Sequence, residues 1–379
     1  MRIGILTLPL HTNYGGILQA YALQTVLERM GHQVVVFDKP FEYTPLPIWK
    51  MPYVYTKRLI KKYILRDGTE IFQEQNGYRR SVISRKYTQP FIEKYIHRYI
   101  YRGFSDIKES DFDAIVVGSD QVWRMMYFEG FYNDLNDADA FLAFTDGWNI
   151  KRVSYAASFG TDTTDVRPEC LDACKAALSK FDGVSVREKS GVDVCKNPFG
   201  VDAAWVLDPT MLLNTEDYKN LFVDQTLPDS QHILASYVLD ETPAIEQLRE
   251  RIAEEKGLVV RRTNIADTGN AERGAVPQPP LEDWLYSLYN ADYIINDSFH
   301  ACVFSILFHK QFTVIANKKR GKSRFKSLLS IFGLEDRIIT SPEEYCQLPD
   351  IDYTKVDVIL NQKRKESIGF LRKFFSTNE

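Results

Sequence analysis

The chain opens on a short apolar run, Arg2 to Leu8, of the kind that forms a buried parallel strand. A polar loop follows it, His11-Thr12-Asn13-Tyr14-Gly15-Gly16. Beyond the loop, Ile17, Leu18, Tyr21, Leu23, Leu27 and Met30 fall at spacings compatible with a helix, and Gly31 supplies a C-terminal stop. Gln33 to Asp38 then reads as a second strand. Strand, helix and strand in this order make a βαβ unit of a doubly wound sheet, whose ligands bind outside the carboxyl ends of the strands.

The alternation resumes with Ala114 to Gly118, Arg152 to Ser158 and Gly183 to Arg187 as strands and Pro168 to Lys180 as a helix. Val206-Leu207-Asp208-Pro209-Thr210 reads as the close of this first set. A second set starts near Gln231, with strands over His232 to Leu239, Leu258 to Arg262, Asp292 to Asn296 and Gln311 to Ala316. Its helices are expected from about Pro243 to Lys256, Leu281 to Asn290, Ala301 to Phe308 and Ser323 to Phe332. The stretch from 41 to about 105, rich in Tyr, Lys, Arg and Ile, shows no clean strand pattern before Asp113. It reads as a helical insertion, a lid or an acceptor-facing surface. The expected organisation is α/β: a Rossmann-like domain over 1–215 carrying the insertion, a second over 216–345, and a terminal helix over 346–379 crossing back to the first.

Composition supports two globular domains. The 379 residues are 44% hydrophobic and 26% charged, and a chain of this length suits two units of ~100 to 200 residues each. A net charge of −4 supplies no global positive field for nucleic acid, although a local basic patch can still hold a small anion. Five cysteines without a CxxC pair argue against a disulfide framework and against a zinc site. The apolar run Ile3 to Leu10 lacks the length of a signal peptide, and no stretch reaches the ~20 apolar residues that span a bilayer. These features suggest a reducing, cytoplasmic setting with membrane contact limited to the periphery.

Five places could carry chemistry. Gly15 and Gly16 lie at a strand-to-helix turn, where bare backbone can approach an anion, and His11 and Asn13 accompany them at the strand's carboxyl end. Gly118-Ser119-Asp120-Gln121-Val122-Trp123 offers a hydroxyl, a carboxylate and an indole at the next strand end, the mixture a sugar site needs. A helix cap with Trp123 in the core is the alternative reading. Arg187 ends a buried apolar strand and needs an anionic partner, either a bound anion or an internal acid such as Glu188. Ser298 and His300 open a helix, whose positive end favours a neutral imidazole suited to acid/base work. Lys318-Lys319-Arg320-Gly321-Lys322-Ser323-Arg324 packs five cations into seven residues after a strand. Such a run is either a solvated loop or a clamp for a phosphorylated donor.

The order of these motifs resembles the polysaccharide pyruvyl transferase family. The likeness covers roughly residues 1 to 335 and rests on His11 to Gly16 with Leu18-Gln19-Ala20-Tyr21-Ala22-Leu23, Gly118 to Trp123, Ser154-Tyr155-Ala156-Ala157-Ser158-Phe159-Gly160, Val186-Arg187-Glu188, Leu207 to Thr210 and Ser298-Phe299-His300. The resemblance implies a GT-B-like fold, with two Rossmann-like domains facing across a cleft. It also implies transfer of the enolpyruvyl unit of phosphoenolpyruvate to two hydroxyls of a saccharide, without metal or redox cofactor. By motif it assigns Arg187 as anion anchor and His300 as acid/base; positive charge developing at the reacting carbon would favour a nearby carboxylate, for which Asp120 and then Asp297 are the candidates. Asn13, Tyr14, Gly15, Gly16, Ser119, Trp123, Ser298, Lys318, Lys319 and Arg324 are the expected substrate-binding positions. A nucleotide-sugar glycosyltransferase and a non-catalytic carbohydrate-binding protein fit the same scaffold.

Overall fold

The computed structural model describes residues 1–43, 45–132, 136–225, 232–264, 276–316 and 322–376. Its central strands are buried along nearly their whole length, which requires helices on both faces and therefore parallel pairing through crossover connections. The first sheet contains β1 (Arg2–Leu6), β2 (Gln33–Asp38), β3 (Arg98–Ile100), β4 (Ala114–Val117) and β5 (Lys151–Ser154), in the order β3-β2-β1-β4-β5. All its pairs are parallel. Beside β5, the bridges Val153 to Gly183 and Ala157 to Val186 lead on to the short pair β6 (Ser185–Val186) and β7 (Ala204–Trp205). The strand β3 corrects the expectation of an uninterrupted helical insertion, because Arg98 to Ile100 pair with β2.

The second sheet is also parallel, with β8 (Ile233–Tyr237), β9 (Val259–Arg262), β10 (Tyr293–Asn296), β11 (Gln311–Ile315) and β12 (Ile338–Ile339) in the order β12-β11-β10-β8-β9. In each sheet the winding reverses once, between β1 and β4 in the first and between β8 and β10 in the second. A reversal leaves a crevice at the strands' carboxyl ends. The loops leaving all four of these strands line one cleft, so the two crevices open onto the same space.

One apolar core runs from the first sheet into the second, joining Tyr14, Ile17 and Leu18 to Leu281, Trp284 and Phe304. Its centre is aromatic. The Trp284 ring lies 5.3 Å from Tyr14, 5.3 Å from Tyr237 and 5.4 Å from Phe304, and the Tyr14 hydroxyl donates to the Pro279 carbonyl at 2.5 Å. The terminal helix Tyr353–Phe375 ties the halves together a second time. The Tyr353 hydroxyl donates to the Ser305 carbonyl in the second half at 3.2 Å. Further along, Ser367 accepts from Leu207 N–H at 3.0 Å and the Phe375 carbonyl accepts from His32 at 2.7 Å, both in the first half. Gly183 makes room for Phe374, whose ring would stand 2.2 Å from a Cβ there.

The region after β2 forms helices Met51–Ile60, Gln73–Ser84 and Thr88–Tyr95. The third buries Phe91 and Ile92, whereas the first two bury no residue. Among the described residues no helix is long and apolar enough to cross a membrane.

A core shared by both sheets predicts a single cooperative unfolding transition rather than two. Trp284→Ala empties its centre and is expected to cost about 3–5 kcal/mol in equilibrium denaturation. Two separated transitions, or a parental midpoint in Trp284→Ala, would contradict the shared core.

Candidate active site where the two sheets meet

The cleft holds about 600 Å³. His11, Asn13 and Gly16 reach it from the loop after β1, Asp120 and Gln121 from that after β4, and Asp297, Ser298 and His300 from that after β10. Arg324 completes the wall. Asp120 sits at φ 64°, a left-handed conformation uncommon outside glycine, and its side chain stands at the cleft surface. Asn13 Nδ2 donates to Asp120 Oδ2 at 3.3 Å, and a Cβ on Gly16 would crowd both, at 3.1 Å from Asn13 and 3.4 Å from Asp120.

Behind this wall lies a buried charge cluster around Arg187, just past the end of β6. Its Nη1 donates to Asp208 Oδ2 at 2.7 Å, Nε lies 3.5 Å from Glu188 Oε1, and Nη2 lies 3.8 Å from Asp120 Oδ1. The Phe299 ring lies 4.3 Å from the guanidinium. Burial disfavours the cation, but Asp208, Glu188 and Asp120 together raise its pKa above the ordinary value. Asp208 is equally enclosed. Its Oδ1 accepts from the Thr210 hydroxyl at 2.6 Å and Thr210 N–H at 3.0 Å, and its Oδ2 accepts from the Ser119 hydroxyl at 3.3 Å. Burial pushes this carboxyl up; His300, Arg187 and Thr210 overcome it and hold the group well below the usual carboxylate range. The Arg187 partner foreseen as either a ligand or an internal acid is thus Asp208. Arg187 stands behind the cleft wall rather than on it.

His300 connects the cluster to the cleft. Ser298 is the N-cap of helix Phe299–Leu307, so the imidazole stands in its first turn, with Nε2 3.6 Å from Asp208 Oδ2. The ring packs directly on Gly15, where a Cβ would come within 1.9 Å of Nδ1. The bare backbone expected to approach an anion is occupied in this structure by the histidine. Four residues before Gly15, His11 Nδ1 accepts from Thr12 N–H at 2.6 Å. Burial and the charge of Arg85 push His11 down to about 4, so it is neutral at pH 7. Arg324 is pushed down to about 10, by burial and then by the nearby Arg187. The charge of a bound anion would offset both effects.

Several expected binding residues lie elsewhere. Trp123 is fully buried, donates Nε1 to the Ala140 carbonyl at 3.1 Å and packs between Phe141 and Phe159. It is a core residue, since the turn after Asp120 points the indole inward. Ser119 is buried and engaged with the Ala156 carbonyl and Asp208, which places it in the supporting cluster. Tyr14 belongs to the aromatic centre between the sheets. Lys318 and Lys319 lie outside the described residues. Two contributors carry no local signal of their role: Asp208 lies in a motif that reads as a domain end, and Phe299 lies between two polar neighbours. Asp297, expected beside the reacting carbon, accepts from Leu239 N–H at 2.8 Å and Asp240 N–H at 2.9 Å, and so pins the loop after β8 to that after β10.

The architecture is similar to that of Arabidopsis thaliana UGT89C1 complexed with UDP-L-rhamnose, with TM-score 0.50 and 9% identity over 99% of each chain. UDP-GlcNAc 2-epimerase from Methanocaldococcus jannaschii gives TM-score 0.48 and 12% identity over 100% of each chain. At these identities the likeness concerns the fold alone, which is GT-B-like. No curated protein sequence matches the chain. The family described as "Polysaccharide pyruvyl transferase" matches residues 13–319, from the loop after β1 through β11 and including Asp120, Arg187, Asp208 and His300. The chain belongs to the polysaccharide pyruvyl transferase family.

Proposed function

We propose that the cleft transfers the enolpyruvyl unit of phosphoenolpyruvate to two hydroxyls of a saccharide, forming a pyruvate ketal and releasing phosphate. The observation that carries this reading is the convergence of His300, backed by buried Asp208, and of buried Arg324 on one cleft, in a chain of this family. The donor is a small polyanion, and Arg324 is placed to hold its carboxylate or phosphate. A proton added to the methylene carbon makes C2 electrophilic. One acceptor hydroxyl adds there and loses its proton, and a second then displaces phosphate. Of the two hydroxyl protons, one balances the proton now on the new methyl group and the other leaves with phosphate.

His300 is the proposed proton carrier. Asp208, 3.6 Å from its Nε2, is placed to stabilise the imidazolium when it forms, as the carboxylate of a Ser-His-Asp triad does. Asp120, on the same wall, would stabilise positive charge developing at C2. The position of Arg187 supports a positioning role, holding Asp208 and Asp120 in place, instead of the direct anion contact expected from its motif. The acceptor side of this reading rests on the family.

Millimolar phosphoenolpyruvate is expected to raise the thermal midpoint, UDP-sugars are not, and Arg324→Ala should remove the shift. A ligand at 100 times its Kd stabilises by about 2.7 kcal/mol, which such a scan resolves. His300→Ala should keep that shift but lose about 100-fold or more in phosphate release with a competent acceptor. Parental turnover in a folded His300→Ala protein would remove His300 from the chemistry. In Gly15→Ala the new methyl must displace the imidazole, and a loss of about 100-fold is expected from a shift of this size.

Asp208→Asn leaves Arg187 with one fewer buried anion and is expected to destabilise the fold by about 3–5 kcal/mol at neutral pH. The fold lowers the pKa of Asp208, so its contribution is complete above the unfolded value near pH ~4 and is lost as pH falls toward the folded one. Stability against pH should therefore fall less steeply on the acid side in Asp208→Asn than in the parent. An identical acid limb in both proteins would show that Asp208 is not the group being titrated.

A further inference from the structure

The exposed apolar surface of the protein is gathered in one place. Sixteen of its 21 exposed large hydrophobic side chains, among the described residues, fall between Phe41 and Ile100, so this region has a surface unlike the rest. Its first helix, Met51–Ile60, is entered through a single turn at Ile48–Lys50 and continues into a wider turn over Lys61–Leu65. Trp49, Tyr53, Ile60 and Ile64 follow one another at four, seven and four residues and so share one helical stripe. Trp49 is 75% exposed, Tyr53 71% and Ile64 72%. Lys50, Lys57 and Lys61 repeat at seven and four residues and form a cationic stripe alongside.

The other side of this helix is occupied. Arg58 makes a two-pronged contact with Glu74 at 2.6 and 2.7 Å and donates to the Ile71 carbonyl at 3.0 Å. Tyr55 meets Phe72 edge-on at 5.7 Å. The helix is therefore fixed with its apolar stripe turned away from its neighbour Gln73–Ser84.

We infer that this helical pair docks on the surface of an anionic lipid bilayer. Between Ile48 and Arg66 the chain has six cations and no carboxylate, within a protein whose net charge is −4. A stripe of Trp, Tyr and Ile edged by lysines matches the acyl boundary and the charged headgroups above it, with lysine stems lying along the apolar surface. A second copy seated on this face would set like charges against each other. The docking element also borders the cleft. Ser84, at the end of the second helix, accepts from Gln278 N–H at 3.0 Å, and Gln278 lines the cleft wall. Docking brings that rim of the cleft toward the bilayer. This inference does not depend on the transfer chemistry proposed above.

The test is flotation of the full chain with vesicles of phosphatidylglycerol and phosphatidylcholine, beside vesicles of phosphatidylcholine alone. The protein should float with the anionic vesicles, and less so as salt is raised. The variants Trp49→Ser/Tyr53→Ser/Ile60→Ser/Ile64→Ser and Lys50→Glu/Lys57→Glu alter only exposed positions. Each should lower partitioning about tenfold or more with an unchanged thermal midpoint. Failure to float with either vesicle, equal flotation with both, or parental flotation by folded variants would overturn the inference. So would a concentration-dependent dimer abolished by the same substitutions, which would identify a second copy as the occupant.

Discussion

The guanidinium of Arg187 organises the site. A buried cation without partners is too costly to keep, by several kcal/mol, so the acids around it are a condition of folding. They come from separate parts of the chain: Asp120 after β4, Glu188 beside it after β6, and Asp208 after β7. One charge thereby fixes the carboxyl ends of strands that backbone pairing alone would leave to their loops. The same Asp208 then faces His300, which the second sheet supplies. Electrostatic need in the first half sets the position of a side chain from the other.

The aromatic centre does for the halves what Arg187 does for the loops. Domain contacts within one chain are often polar and permit hinge motion, but a large apolar contact does not. Tyr14, Trp284 and Tyr237 pack as tilted and edge-on rings between the sheets beside the cleft, and Tyr14 immediately precedes the glycine that receives His300. The width of the cleft floor is thus set by packed rings. Such a floor keeps the groups of the candidate site in register without help from a ligand.

The regular part of this fold is legible in the amino-acid pattern because its central strands are short, apolar and separated by well-marked turns. Arg98 to Ile100 escapes that reading since it is a three-residue edge strand with no buried position. The site is legible as a set of strand ends, and less so as a set of partners. Gly15 is recognisable as a place for close approach, yet the approaching group is an imidazole from nearly three hundred residues away, which no local spacing reveals. Trp123 follows a strand end just as Asp120 does, and only the turn between them decides which faces the cleft and which the core. Asp208 lies in a short apolar motif whose meaning depends on Arg187, 21 residues earlier, and on a histidine in another sheet.

The terminal helix bears on the order in which the protein can be completed as it is made. The first half leaves the ribosome with three seats unfilled: the Leu207 N–H, the ring of His32 and the hollow over Gly183. These are taken by Ser367, Phe375 and Phe374. Until the helix Tyr353–Phe375 emerges, the edge of the first sheet near β6 and β7 lacks its cover, and the segment carrying Asp208 lacks its anchor at Leu207. Maturation of the site therefore waits for that helix, even though most of its charged residues are synthesised in the first half.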